Sequence, residues 1–202
     1  MKLKLSVDVT FVNSSTNFVD GKDYYFYDRS RTHNQPLMYT ELLGKAKELI
    51  VIWDPHYQKD CGRLFCDVAR DGICVEVLTL CQGAESKKDI MQFANIILSA
   101  IDKKKVKKCQ VTVNALQQSM YRCIKGTEWH DRYLIIDQEV YLVGASMDSH
   151  ASKSRSYGIK RLTETADKNL VIDSYLSYRD SIKDESTGSG NGYKCSVKRG
   201  YV

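Results

Sequence analysis

Five apolar residues follow one another without interruption at positions 49–53, LIVIW. A run without polar alternation is the pattern of a strand covered on both faces. Upstream, Leu3, Leu5, Val7, Val9 and Phe11 alternate with other residues, the two-residue period of a half-buried strand. Downstream, ICVEVLTL (73–80) and CQVTVNAL (109–116) predict further strands, and RYLIID with EVYLVGAS, separated by Gln138, predicts a hairpin. DYYFYD (23–28) and YGIKRLTE (157–164) are two more short candidates. Helical spacing occurs elsewhere. Pro36 opens a short helix through LMYTELLGKAKE, and Leu64, Phe65 and Val68 predict a second that stops at Gly72. Ser86 and Asp89 form a capping box ahead of Ile90, Phe93, Ile97 and Ile101, a helix of about fifteen residues ending in DKKKVKK. Residues 166–182 form the last helix, with Thr165 as its cap.

Alternating strands and helices predict an α/β fold: a mixed, largely parallel sheet, locally antiparallel at the hairpin, with helices on both faces. One domain is expected over residues 1–183, of which 1–37 are an N-terminal strand and an irregular extension. Residues 184–202 are rich in Gly and Ser with a basic end and read as a mobile tail. A chain of 202 residues with 43% hydrophobic content suits one domain with a real core.

Charge and cysteine content exclude little. Thirty basic against 25 acidic residues leave +5, a mild bias that serves solubility or attraction to a polyanion equally. The seven cysteines are odd in number, scattered, and lack a CxxC pair, which points to reduced thiols rather than a disulfide framework or zinc site. No stretch approaches the roughly 18–20 apolar residues of a transmembrane segment, and the alternating N-terminus lacks a signal peptide's apolar core, so a cytoplasmic location is expected.

The candidate chemistry lies in EWHDRYLIIDQEVYLVGAS, residues 128–146. In a strand, His130 and Arg132 share a face. An imidazole beside a permanent cation suits a phosphodiester, since the cation offsets charge on the phosphate oxygens while the imidazole attacks phosphorus or moves a proton. Asp137 has the opposite parity and falls at the strand end, where its simplest role is to fix the turn. His56 follows Asp54 and Pro55 at the C-terminal end of an apolar strand, the end where open α/β sheets place ligands, and is a candidate second imidazole. Glu164 is a candidate for orienting an imidazole, against the plainer reading of an acid at a helix start.

His130-x-Arg132-x4-Asp137 resembles the H-x-K-x4-D signature of the phospholipase D-like superfamily, and Gly144 and Ser146 in VGAS resemble the small-residue segment that follows it. The likeness extends over roughly residues 38–182. It implies a helix-covered sheet and a metal-independent phosphodiesterase that forms a phosphohistidine and needs no cofactor. It makes His130 the nucleophile or its acid/base partner, Arg132 the phosphate ligand, and Ser146 a further donor. Two departures stand out. Arginine replaces lysine, with a larger forked cation. Only one motif is present where the family assembles two, so the enzyme reading requires a homodimer in which each subunit contributes one histidine. The implied activity is a phosphodiesterase, with nucleic acid preferred over phospholipid because no amphipathic insertion helix or lipidation signal is seen. The rival is a catalytically degenerate module that binds a phosphate-bearing ligand or a protein partner.

Overall fold

The structure is a computed structural model that describes residues 10–11, 24–27, 37–57, 62, 64–81, 87–117, 131–144, 157–182 and 192–200. Its strands are β1 (Thr10–Phe11), β2 (Tyr24–Tyr27), β3 (Leu49–Trp53), β4 (Ile73–Cys81), β5 (Cys109–Gln117), β6 (Arg132–Ile136), β7 (Glu139–Val143), β8 (Tyr157–Arg161) and β9 (Gly192–Arg199). The helices are α1 (Leu37–Gly44), α2 (Lys87–Ala100) and α3 (Thr165–Ser181).

The strands form one mixed sheet in the order β1-β2-β8-β7-β6-β3-β4-β5-β9. The apolar runs of β3, β4 and β5 are its parallel centre, in register from Leu49↔Cys74 and Ile73↔Cys109. β1 also runs parallel to β2, but the other five junctions are antiparallel. The sheet is therefore mostly antiparallel rather than largely parallel. β6, β7 and β8 form a meander joined to the parallel centre along the β3–β6 seam.

Helices cover both faces. On one, Tyr39, Leu42 and Leu43 of α1 and Ile90, Phe93 and Ile97 of α2 pack on Ile50, Ile52, Val75, Val77, Val111 and Val113. On the other, Val171 and Tyr175, one helical turn apart on α3, meet Val51, Trp53, Leu78, Ile135 and Val140. Burial on both faces explains why β3 lacks polar alternation. Trp53 anchors an aromatic group with Tyr133, Tyr175 and Tyr178 at centroid distances of 5.2, 6.3 and 5.6 Å. The Tyr175 hydroxyl donates to Glu76, and burial together with that carboxylate pushes its pKa well up, so it stays a donor.

Three local expectations change. Leu64, Phe65 and Val68 are buried, but the described backbone there is a short 3-10 turn instead of an α-helix, and Gly72, at φ 84°, belongs to the turn into β4. Glu164 occupies the cap position of α3, and Thr165 is its first helical residue. The expected mobile tail contains β9, paired with β5 from Leu116↔Gly192 to Cys109↔Arg199. There Tyr193, Cys195 and Val197 pack on the core while Lys194, Ser196 and Lys198 alternate with them. Arg199 also donates to the carbonyls of Leu98 and Ile101 at the end of α2 and to Val106, satisfying acceptors that a helix terminus leaves over.

Candidate functional site

The parallel strands β3, β4 and β5 end at the same edge of the sheet where β6 begins and β7 ends. Arg132 is the first residue of β6 and pairs in register with Val143, so Gly144 follows beside it at that edge. Gly144 approaches the next strand closely. Its N–H donates to the Gly158 carbonyl at 2.8 Å, and a Cβ at position 144 would lie 3.0 Å from that oxygen. A larger residue would push β7 and β8 apart.

Facing Arg132 is Asp54, which sequence reasoning did not single out. Asp54 is 2% exposed, and its Oδ1 lies 3.4 Å from Arg132 Nε. The same oxygen accepts the His56 backbone N–H at 2.9 Å, closing an Asx turn after β3. The Asp54 N–H donates to the Leu78 carbonyl, and the Tyr57 N–H to the Asp54 carbonyl. Tyr57 then stacks on Phe93 of α2, with centroids 5.1 Å apart, and fixes the turn to the core. A buried carboxylate is costly unless compensated, and Arg132 with the His56 amide provides the compensation. Its sequence signal was the acid directly after LIVIW, at the C-terminal end of a buried strand. Thr79, one step past the Trp53↔Leu78 pair and so level with Asp54 on β4, is 3% exposed, and its hydroxyl has no hydrogen-bond partner among the described residues. Its polar side chain near the C-terminal end of a largely apolar strand was the signal that could have found it.

His56 is exposed and lies at this edge, its amide bonded to the carboxylate that holds Arg132. Asp137 lies at the far end of β6, in the turn to β7, at φ 55°. Its carboxylate accepts the backbone N–H groups of Lys47, Glu48 and Leu49 at 2.9–3.0 Å, and its own N–H donates to the Leu49 carbonyl. Burial works to raise the Asp137 pKa, but the amides of Leu49, Glu48 and Lys47 outweigh it and hold the group below the usual aspartate value. Asp137 thus fastens β6 to the start of β3, about 16 Å along an extended strand from Arg132. Glu164 also belongs to this far edge. α3 starts beside Glu139, which binds Arg161 at 2.8 Å and Lys168 at 3.0 Å, so Glu164 is not brought to Arg132. His130 and Ser146 lie outside the described residues.

Arg132, Asp54, the His56 turn, Thr79 and Gly144 therefore meet at one edge, while Asp137 and Glu164 serve the other. The arrangement presents a cation fixed by a buried acid at the ends of parallel strands, suited to holding an anionic oxygen. Among the described residues no helix is long and apolar enough to cross a membrane.

No family model matches the chain, and no curated protein matches it. Among solved structures it is similar to TrmBL2, an archaeal chromatin protein described with a novel mode of DNA binding, at 12% identity and TM-score 0.41, over 81% of this chain and 54% of that one. It is also similar to NucT from Helicobacter pylori, at 17% identity and TM-score 0.44, over 72% of this chain and 86% of that one. Nuc from Salmonella typhimurium, a phospholipase D family member, is similar at 13% identity and TM-score 0.43, over 78% of this chain and 89% of that one. The chain thus spans about half the length of the chromatin protein and most of the other two.

Proposed function

We propose that the chain is a metal-independent phosphodiesterase acting on nucleic acid, in which His130 attacks phosphorus and a second, twofold-related subunit supplies the histidine that protonates the leaving group. The observation that carries this reading is the position of Arg132, held by the buried Asp54 at the edge where the parallel strands end. The H-x-R-x4-D spacing puts His130 two residues before that cation, and Asp137, fastened to β3, sets the height of β6 in the sheet. Arg132 then neutralises a phosphate oxygen as charge builds in the transition state.

The test is turnover of a chromogenic phosphodiester and binding of a short DNA strand by wild type, His130→Ala and Arg132→Ala. His130→Ala should abolish turnover and keep binding, whereas Arg132→Ala should lose both. Full activity in His130→Ala would rule the mechanism out. A second reading, a binding module without turnover, draws support from the Asp54 contact, which already spends part of the Arg132 charge on an internal partner. It predicts phosphodiester binding with no cleavage in any of the three proteins.

A further inference from the structure

The turn between α2 and β5 carries five exposed lysines in six residues: Lys103, Lys104, Lys105, Lys107 and Lys108. It lies at the N-terminal end of β5, the edge opposite the candidate site. Two other segments pin it there. The Gly72 N–H donates to the Lys108 carbonyl at 2.8 Å, and Gly200, at φ 72°, packs against the Lys107 backbone. Exposed Arg70 joins the corner, whose carboxylates are Asp67, Asp71 and Asp102. These six cations outnumber the three carboxylates, and Arg199, which donates to the Ile101 and Val106 carbonyls, adds a seventh.

The acids do not consume the lysines. Asp71 accepts the Lys108 backbone N–H at 2.5 Å and Asp102 the Lys104 backbone N–H at 2.8 Å, and among the described residues none of the five lysines is in an ion pair. The one apolar residue of the run, Val106, is fully buried. The large exposed apolar side chains among the described residues, Met91 and Leu170, lie on α2 and α3. A surface that inserts into a membrane interleaves exposed apolar residues with its cations, and this one does not. A braced row of ammonium groups on a turn matches the regular charge of a phosphate backbone.

We propose that this corner is a docking surface for the phosphate backbone of nucleic acid, separate from the candidate site. The nine residues of β5 set the two edges about 30 Å apart, so a duplex of roughly nine base pairs is the shortest able to reach both.

The experiment measures binding of a 30-base-pair duplex between 50 and 200 mM salt by the full chain and by the variant K103Q/K104Q/K105Q/K107Q. The variant should bind at least about tenfold more weakly at low salt, and its log–log salt slope should be shallower by up to about 3.6, near 0.9 for each of four phosphates no longer neutralised. K104Q/K107Q should show about half that change in slope, which guards against a folding defect in the fourfold variant. Unchanged affinity and slope would overturn the proposal, as would a wild type that binds no duplex or that binds phosphatidylserine vesicles more tightly than DNA. Turnover of a small chromogenic phosphodiester should be equal in wild type and variant. If that turnover falls together with DNA affinity, the lysines belong to the catalytic unit and the separate surface is disproved. If no protein turns over the small ester, the salt slope still decides the docking surface, and the failure belongs to the proposed chemistry alone.

Discussion

Arg132 and Asp54 face each other one step beyond the Trp53↔Tyr133 pair of the β3–β6 seam, Nε 3.4 Å from Oδ1. The contact is an ion pair without a hydrogen bond at Nε, a geometry that suits arginine. A guanidinium can meet a buried carboxylate through Nε while its fork points elsewhere, whereas an ammonium has a single nitrogen to place. Arg132→Lys is therefore expected to weaken phosphodiester binding by about 1–3 kcal/mol. Adding Asp54→Asn should recover part of that loss, by releasing the ammonium from the internal acid. Titration of a short DNA strand against the single and double variants measures the recovery.

The same pair matters to stability. Arg132→Ala leaves the Asp54 carboxylate buried without its guanidinium partner. Losing one partner of a fully buried pair costs about 3–5 kcal/mol, and the 22% exposure of Arg132 reduces the expectation to about 2 kcal/mol. Urea denaturation at neutral pH gives the difference, and Asp54→Asn should cost less than Arg132→Ala.

Asp137 supplies a pH-dependent effect. Its folded-state pKa is lowered, so its stabilisation is complete above the ordinary aspartate value of 3.8 and is lost as pH falls through the folded-state value. Asparagine tolerates the positive φ, so Asp137→Asn isolates the charge. The variant should be about 1–2 kcal/mol less stable at pH 7, with the gap closing well below pH 3.8. Denaturation curves across that range measure it.

Gly144→Ala should cost about 1–2 kcal/mol, because the new methyl meets the Gly158 carbonyl at 3.0 Å and β7 must shift from β8. Gly72→Ala, where a Cβ meets nothing within 4 Å, should show the strain of a positive φ alone. Thermal melting of the two variants separates crowding from conformation.

The proposed enzyme should sediment as a dimer at working concentration and keep its turnover in chelator, since histidine and arginine supply the nucleophile and the countercharge without a metal. A monomer that cleaves at full rate, or a strict requirement for magnesium or manganese, would contradict it.

The patterns that were legible were those with one physical cause. An unbroken apolar run marked β3, runs rich in β-branched residues marked β4 and β5, and a turn residue between two strands marked the β6–β7 hairpin. β9 was not, because glycines and serines ahead of it suggested a flexible chain, while the alternation of Tyr193, Cys195 and Val197 is short and diluted by lysines. The strand directions of β2 and β8 depend on pairing between residues such as Tyr25 and Ile159, far apart in sequence, which no local pattern encodes. At the site, the spacing put Arg132 near the start of a strand and Asp137 at its end as a turn residue, but not that Asp137 would bind the amides of Lys47, Glu48 and Leu49, far away in sequence. Asp54 was visible as an acid after an apolar strand, yet its role depends on β6 lying alongside, a tertiary fact.

The β3–β6 seam is closed at both ends, by Asp54 with Arg132 at one and by Asp137 with the amides of Lys47, Glu48 and Leu49 at the other. A zipper locked at its first and last teeth does not fray. The two halves of the sheet are consequently held in register along this line. Amide hydrogens of Val51, Tyr133 and Ile135, which face across the seam, should then exchange with solvent at the rate of whole-molecule unfolding, so the candidate site is mounted on a joint that opens only with the fold.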